Sequence, residues 1–368
     1  MSDSRITNIC FFSGDITNSG GTERVGTIIA NELSNIKDKY KISFVSLVEK
    51  RDEPFFKIND NINRFALYNE PVRGLTHIVQ ICHRLRKVVK ENNIDVLVDI
   101  DGILDMYSLV VKLFTKVKVI SWEHFNFYQH PTVGHRKYTR RLAGKFADAI
   151  VTLTKADVSY YKENINIRCP ITYIHNPVMN LSEEYAYNPN SKIILSVGRL
   201  TDQKGFDMLV DVAKEIFKED NEWKWIILGE GEDRPVLEEK IRKYNLQDKV
   251  ILKGNVSNVN DYYKETGIFV LTSRYEGLPM TLLETKPFKL PAVSFDIKTG
   301  PNECIINDEN GFLIEPFNIK DMSEKIKLLM DNKDLRQNFS DNALVDTEKF
   351  DLRSIMDKWN DLLNDVVK

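Results

Sequence analysis

The sequence predicts an α/β fold of two doubly wound domains, each a parallel sheet covered by helices on both faces. Three observations carry this reading. Short β-rich runs alternate with longer amphipathic segments, the pattern that builds parallel sheets through helical crossovers. The alternation restarts half-way along the chain, after a polar stretch at 179–190 with no sustained apolar period. The chain also has 368 residues, too many for one ordinary core and enough for two domains of roughly 150–200 residues each.

In the first half the candidate strands are 7–12, 41–48, 63–67, 95–100, 118–122, 149–153 and 172–175. The second series is 192–197, 224–228, 250–252, 268–271, 291–294 and 311–314, with helical segments such as 205–218 and 234–244 between strands. The expected division is a first domain at 1–180, a linker at 181–190, a second domain at 191–348 and a C-terminal helix at 349–368. In that last segment Leu352, Ile355, Met356, Trp359, Leu362, Leu363 and Val366 recur at helical spacing, so one face of the helix must pack on something. Open α/β sheets hold ligands at the carboxyl ends of their strands, and a cleft between two such domains is the expected site.

Composition excludes several classes. Hydrophobic content of 42% with 29% charged residues is that of a globular chain, neither disordered nor fibrous. Lysine and arginine total 51 against 54 acidic residues, without the basic excess of a dedicated nucleic-acid binder. An anionic ligand must therefore be met locally. Cys10, Cys82, Cys169 and Cys304 lie far apart, at none of the short spacings of zinc or redox motifs, and read as core residues of a reducing compartment. The polar start and the short first apolar run argue against a signal peptide, and no apolar stretch reaches membrane-spanning length. The expected location is cytoplasmic.

The most informative run is Thr272-Ser273-Arg274-Tyr275-Glu276-Gly277-Leu278-Pro279-Met280-Thr281-Leu282-Leu283-Glu284-Thr285, which reads as a strand end, a tight turn and a helix. Gly277 permits a turn conformation closed to other residues, and Pro279 suits the first helical position. The amides that follow would favour a phosphate. Glu276 is expected in the turn, with Glu284 about one and a half turns inside the helix. Two carboxylates so placed would accept hydrogen bonds from hydroxyls at the two ends of an elongated ligand with phosphates between them. Solvated glutamates at a helix end are the plain alternative.

Other segments converge on the same edge. Leu195-Ser196-Val197-Gly198-Arg199-Leu200 ends the first strand of the second series, with Lys204-Gly205 just after it. Two cations there would neutralise a diphosphate. Gly229-Glu230-Gly231 and Lys253-Gly254-Asn255-Val256 follow the next two strands; Gly229 is expected to let backbone approach a ligand, and Val256 to flank a nucleobase. In the first half, Gly20-Gly21-Thr22-Glu23-Arg24 opens a helix after the first strand, without the G-x-G-x-x-G spacing of dinucleotide sites. His124 follows Trp122-Glu123 at another strand end and can meet a ligand hydroxyl; His135 and His175 are weaker candidates.

Together, Val197-Gly198-Arg199, Lys204-Gly205, Gly229-Glu230-Gly231, the pair Glu276 and Glu284, Gly300-Pro301-Asn302-Glu303 and Asn310-Gly311 resemble the retaining glycosyltransferases of family 4, among them those of bacterial surface and capsular polysaccharides. Gly20-Gly21-Thr22-Glu23-Arg24 and Trp122-Glu123-His124 extend the likeness over nearly the whole chain. The resemblance implies the GT-B fold of two Rossmann-like domains, with the C-terminal helix crossing back to the first. It implies that Arg199 and Lys204 hold the donor diphosphate, that Glu284 binds ribose and that Glu276 contacts the transferred sugar. The donor-contacting run would extend through Gly277, Leu278, Met280 and Thr281. His124 would touch the sugar, and Gly20 and Gly21 would let the first domain close on the donor. The catalytic set it implies is Glu276, His124, Arg199 and Lys204. The implied reaction takes place on one face of the sugar, the departing phosphate helping to deprotonate the acceptor, with no cofactor beyond the nucleotide-sugar substrate, most readily a UDP-sugar.

Two features depart from that pattern. Lys289-Leu290-Pro291 stands where a glycine is usual, and Pro287 should shorten or kink the helix bearing Glu284. Asp99-Ile100-Asp101 matches the D-x-D of metal-dependent transferases, but paired aspartates commonly end a strand, and no metal is assigned.

Residues 135–146 and 83–90 mix basic with aromatic and aliphatic residues, as amphipathic helices at anionic membranes do. These predict weak peripheral membrane binding and a saccharide or lipid-linked saccharide acceptor, with no nucleic-acid partner; solvated helix faces are the alternative. The competing functional readings are a nucleotide-sugar epimerase on the same scaffold, which would turn over donor without acceptor, and a silent sugar-nucleotide-binding subunit, which would bind donor without turnover.

Overall fold

In the computed structural model, which describes residues 5–72, 74–129, 134–179, 181, 185–219 and 222–368, the chain forms two compact units, one of residues 1–177 with 352–368 and one of 178–351. The first unit holds β1 (Thr7–Ser13), α1 (Gly21–Ser34), β2 (Tyr40–Val48), β3 (Asn63–Tyr68), α2 (Ile78–Glu91), β4 (Val96–Ile100), α3 (Asp105–Leu113), β5 (Lys118–Trp122), α4 (Arg136–Phe146), β6 (Ala149–Thr152), α5 (Lys155–Asn164) and β7 (Ile171–Tyr173). Its strands are parallel, in the order β3-β2-β1-β4-β5-β6-β7.

The second unit holds β8 (Ile193–Val197), α6 (Phe206–Ile216), β9 (Lys224–Leu228), α7 (Arg234–Lys243), β10 (Val250–Gly254), α8 (Val259–Glu265), β11 (Ile268–Leu271), α9 (Met280–Glu284), β12 (Ala292–Phe295), α10 (Pro301–Cys304), β13 (Gly311–Ile314), α11 (Ile319–Asp331) and α12 (Lys333–Asp341). Its sheet is also parallel, in the order β10-β9-β8-β11-β12-β13. α13 (Leu352–Val367) then belongs to the first unit, where it contacts α1 and sets Trp359 edge-on to Trp122 at 4.7 Å.

The central strands read as unbroken apolar runs because helices cover both faces of a parallel sheet; every residue of β4, β6 and β11 is buried. The helices add one apolar stripe each. In α6, Leu209, Val210, Val212, Ala213 and Ile216 are buried against Trp225, Ile227 and Val270, each large aliphatic contributing about 1.5–3 kcal/mol over an exposed position. All four cysteines are free thiols, and among the described residues no helix is long and apolar enough to span a membrane.

The 181–190 segment differs from its expected role as a tether. Tyr185 stacks on Phe288 at 4.5 Å, the Tyr187 hydroxyl donates to the Gly267 carbonyl at 2.7 Å, and Arg336 donates to the Pro189 carbonyl at 2.7 Å. Residues 185–190 are thus part of the second unit, because two tyrosines in a polar stretch still have rings to bury. Glu183 and Glu184 lie outside the described residues.

Candidate functional site

Both sheets reverse direction at one place, between β1 and β4 in the first unit and between β8 and β11 in the second. Chain leaving two adjacent strands in opposite directions opens a crevice at their carboxyl ends, the usual ligand position in such sheets. In the second unit the segments emerging there are the two that the sequence singles out, 198–205 and 272–284.

After β8 the chain turns through a single 3-10 turn, Asp202–Lys204, and Gly205 takes a left-handed φ of 63°. A side chain there would put its Cβ 2.2 Å from the Thr272 carbonyl, so only glycine allows this approach. Across the contact the Thr272 hydroxyl donates to the Lys204 carbonyl at 3.1 Å, the Arg274 amide to the Gln203 carbonyl at 2.8 Å, and the Gln203 side chain to the Tyr275 carbonyl at 3.2 Å. Arg274 also forks onto Asp207 at 2.8 and 2.7 Å.

These contacts deliver Lys204 to Glu276. Nζ lies 2.6 Å from Oε1, with the two side chains only 15% and 7% exposed. The Ser273 hydroxyl donates to the same oxygen at 2.7 Å, and the Thr299 hydroxyl donates to the Glu276 backbone carbonyl at 2.6 Å. Oε1 is thereby occupied, while Oε2 has no hydrogen-bond partner among the described residues and remains an acceptor for a ligand hydroxyl. Arg199 is exposed, its guanidinium without an ion pair among the described residues.

The glycines hold neighbouring loops close together. Gly229, at φ 132°, would place a Cβ 1.9 Å from the Gly198 carbonyl, and Gly231 one 2.2 Å from the Leu200 carbonyl. The Gly198 amide donates to Leu228, the Leu200 amide to Glu230 and the Gly229 amide to Gly254, at 2.9–3.0 Å. Gly229 therefore zips three loops backbone to backbone; the atom it approaches is a neighbouring carbonyl. Gly300, at φ 102°, packs likewise on Pro279 and the Gly277 carbonyl, bracing the turn that carries Glu276. Val256 is half-buried in the loop after β10.

Helix α9 is short, as Pro287 leads one to expect, and begins one residue later than expected. Pro279 is its N-cap, with ψ 103°, rather than its first helical residue, and Glu284 is its last residue. Lys286–Phe288 tightens into a 3-10 turn and Lys289 closes it at φ 53°. Pro287 cannot donate into a continuing α-helix, so the helix ends early. Five residues add up to a small dipole. Glu284 accepts from the buried Tyr263 hydroxyl at 3.0 Å. Leu278 is buried, Gly277 and Met280 are half-buried, and the Thr281 hydroxyl oxygen is buried without a partner.

In the first unit Gly20 is the N-cap of α1 and Gly21 its first residue. His124 is buried with its ring 4.4 Å from that of Trp122, and its Nε2 has no partner among the described residues. Burial holds its pKa down at about 4, against the opposing pull of Glu123, so the imidazole is neutral at pH 7. Glu123 pairs with Arg136 at 2.9 Å and Arg140 at 2.8 Å; burial alone would raise its pKa, but the two guanidinium groups outweigh it and leave the carboxyl below its ordinary value. Of the D-x-D pair, Asp101 is held by Arg136, and the buried Asp99 accepts from Ser108 through one oxygen, while its Oδ1 has no partner among the described residues. Among the described residues no cluster of three or more potential metal ligands occurs. His135 caps α4, and His175 is buried 5.2 Å from the Tyr173 ring.

Sequence reasoning gave no role to Ser273, Thr299 or Tyr263. Ser273 lies in the quoted run and Thr299 beside Gly300, so both could have been suspected as hydroxyl donors to a turn residue; nothing local marks Tyr263.

Comparison with known proteins places this arrangement. The profile of Glycosyl transferases group 1 matches residues 179–345, and that of Glycosyltransferase Family 4 matches residues 19–179. An uncharacterized glycosyltransferase of Haemophilus influenzae is 33% identical over 96% of this chain and 99% of its own length. The chain belongs to the family 4 glycosyltransferases. The amylovoran biosynthesis glycosyltransferase AmsD of Erwinia amylovora is 31% identical over 95% of this chain and 97% of its own. Among solved structures, a mutant of Staphylococcus aureus TarM in complex with fondaparinux, α-GlcNAc-glycerol and UDP superposes with a TM-score of 0.70 at 27% identity, covering 78% of this chain and 59% of that one. The fold is GT-B, each unit being one of its two Rossmann-like domains, and the enzyme is a glycosyltransferase.

Proposed function

We propose that the enzyme transfers a hexose or N-acetylhexosamine from a nucleoside diphosphate sugar, UDP-sugar first, to a saccharide acceptor with retention of anomeric configuration. The observation that carries the reading is the Lys204–Glu276 pair beside Arg199 at the β8–β11 switch point. A carboxylate with one oxygen fixed by Lys204 and Ser273 and the other unengaged is a rigid acceptor for sugar hydroxyls. Lys204 and Arg199 offer the positive charge that a departing diphosphate needs, and the leaving phosphate can itself take the acceptor proton, so that no separate base is called for. Glu284, oriented by Tyr263, suits the ribose hydroxyls. UDP in the TarM complex and amylovoran biosynthesis by AmsD support the donor class and a role in polysaccharide assembly. The acceptor is proposed to be lipid-linked, with the enzyme resting weakly on the inner membrane surface from the cytoplasm.

A screen of nucleotide-sugars for thermal stabilisation tests the donor, because a ligand that binds only the folded state raises Tm by mass action. UDP-sugars should stabilise more than GDP-sugars, and the anomeric proton coupling of the product reports retention or inversion. Glu276→Ala should abolish transfer while still binding nucleotide; wild-type turnover in that variant would remove Glu276 from the site.

A further inference from the structure

The layer α2–α3–α4 of the first unit carries a surface that the transfer chemistry does not use. The connections β3 to β4, β4 to β5 and β5 to β6 all advance in one direction across the sheet, and right-handed crossovers set their helices side by side on one face; α2 contacts α3, and α3 contacts α4. The outer side of this layer is unusually apolar. Val79 is 82% exposed, Leu113 74% and Phe114 62%, with Leu75, Leu142 and Phe146 also exposed.

A groove of about 230 Å³ lies between α2 and α3, walled by Val79, Cys82, Val110 and Phe114 and flanked by His83 and Arg86. The Arg86 guanidinium sits 5.7 Å from the Phe114 ring centre, and its buried Nε has no hydrogen-bond partner among the described residues. Beside α4 a second cavity of about 170 Å³ is lined by Lys137, Arg140 and Arg141. Exposed Arg84, Lys87, Lys90, Lys116, Lys137, Arg141 and Lys145 stud the same helices and their ends, where Glu91 is the one exposed acid among the described residues. The chain as a whole is slightly acidic, so this one-sided charge is local.

We propose that this layer is the membrane-docking face of the enzyme: Val79, Leu113 and Phe114 enter the acyl region of an anionic phospholipid bilayer, the α2–α3 groove seats hydrocarbon, and Arg86, Arg141 and Lys145 bind the headgroup phosphates. Exposed apolar side chains surrounded by cations are what such a surface selects for, since hydrocarbon burial and charge attraction act together. The proposal deepens the membrane-side reading above and rests on it for its purpose.

The test is cosedimentation of the full chain with phosphatidylcholine vesicles, with and without phosphatidylglycerol, at low and high salt. Transfer to a water-soluble acceptor is measured in parallel. Wild-type protein should bind only the anionic vesicles, and lose them at high salt. R141Q/K145Q should lower partitioning roughly 25-fold at low salt, about fivefold per cation. L113E/F114E should lower it at least about tenfold, whereas V236E, at an exposed valine of α7, should not. All variants should keep the wild-type melting curve and soluble transfer. Absence of wild-type binding, binding insensitive to salt, or V236E matching L113E/F114E would each overturn the docking assignment, while soluble transfer would leave the transferase reading intact. Vesicle binding without transfer to any acceptor would keep the docking face and count against the transferase reading.

Discussion

Replacing Lys204 by alanine leaves the Glu276 carboxylate 7% exposed with its cation gone. Ser273 and the Thr299 contact to the backbone would remain, so the loss is smaller than for a carboxylate stripped of every partner. Removing one member of a buried ion pair costs about 3–5 kcal/mol, and a hydrogen bond to a charged group about 1.5–3. Lys204 is 15% exposed, so water can partly replace it, and a cost of about 2–3 kcal/mol is expected. In a unit of this size that lowers Tm by roughly 4–12 °C. The assay is a double-mutant cycle of K204A, E276Q and the pair, read by urea unfolding and calorimetry. E276Q in the K204A background should recover part of the loss, since the neutral amide needs no counter-charge, giving a coupling of about 1–2 kcal/mol. A K204A cost under about 0.5 kcal/mol, or no coupling, would refute the claim that the pair is desolvated and shapes the site.

Four further outcomes follow from the structure. Burial pushes Asp99 up to about 7, partly offset by hydrogen bonds from Asp105 and Ser108, with Asp101 adding repulsion; Asp105 is pushed up as well, by burial and by Asp99. A folded pKa above the unfolded one makes the stabilising contribution complete below about pH 4 and lost as pH rises through 7, so stability should fall by about 1.4 kcal/mol from pH 6 to 8, and less in Asp99→Asn, by urea midpoints. Lys289 sits at φ 53° without being glycine, and Lys289→Gly should raise stability by about 0.5–1 kcal/mol in the same assay. Gly229→Ala, whose Cβ would meet a backbone carbonyl, should cost more than about 3 kcal/mol. Gly20→Ala, whose Cβ clashes with the movable Glu23 carboxylate and otherwise makes ordinary contact with the Thr22 hydroxyl, should cost under about 1 kcal/mol by thermal melts.

Much of the site was legible because its parts are local. The run from Thr272 to Thr285 declared a strand end, a turn and a helix, although Gly277 does not take the positive φ expected of it, and Arg199 and Lys204 stood just past a strand. Only the start of α9 is not legible, because Pro279 reads equally well as first residue or as cap, and backbone dihedrals decide between them. The sequence marks Gly229 as a point of close approach without saying to what; in the fold its backbone lies against the Gly198 carbonyl.

By itself the sequence determined two parallel α/β units, their strands and the residues that end them, because apolar periodicity and turn chemistry act over a few residues. Only the tertiary structure decided that β8 lies beside β11, and so that Lys204 meets Glu276 from 72 positions away. Strand order in a parallel sheet is set by crossovers and by the shared core beneath them, and neither leaves a local mark in the chain. The same holds for the cations and apolar side chains of α2, α3 and α4, which become one surface only when the sheet lays those helices side by side.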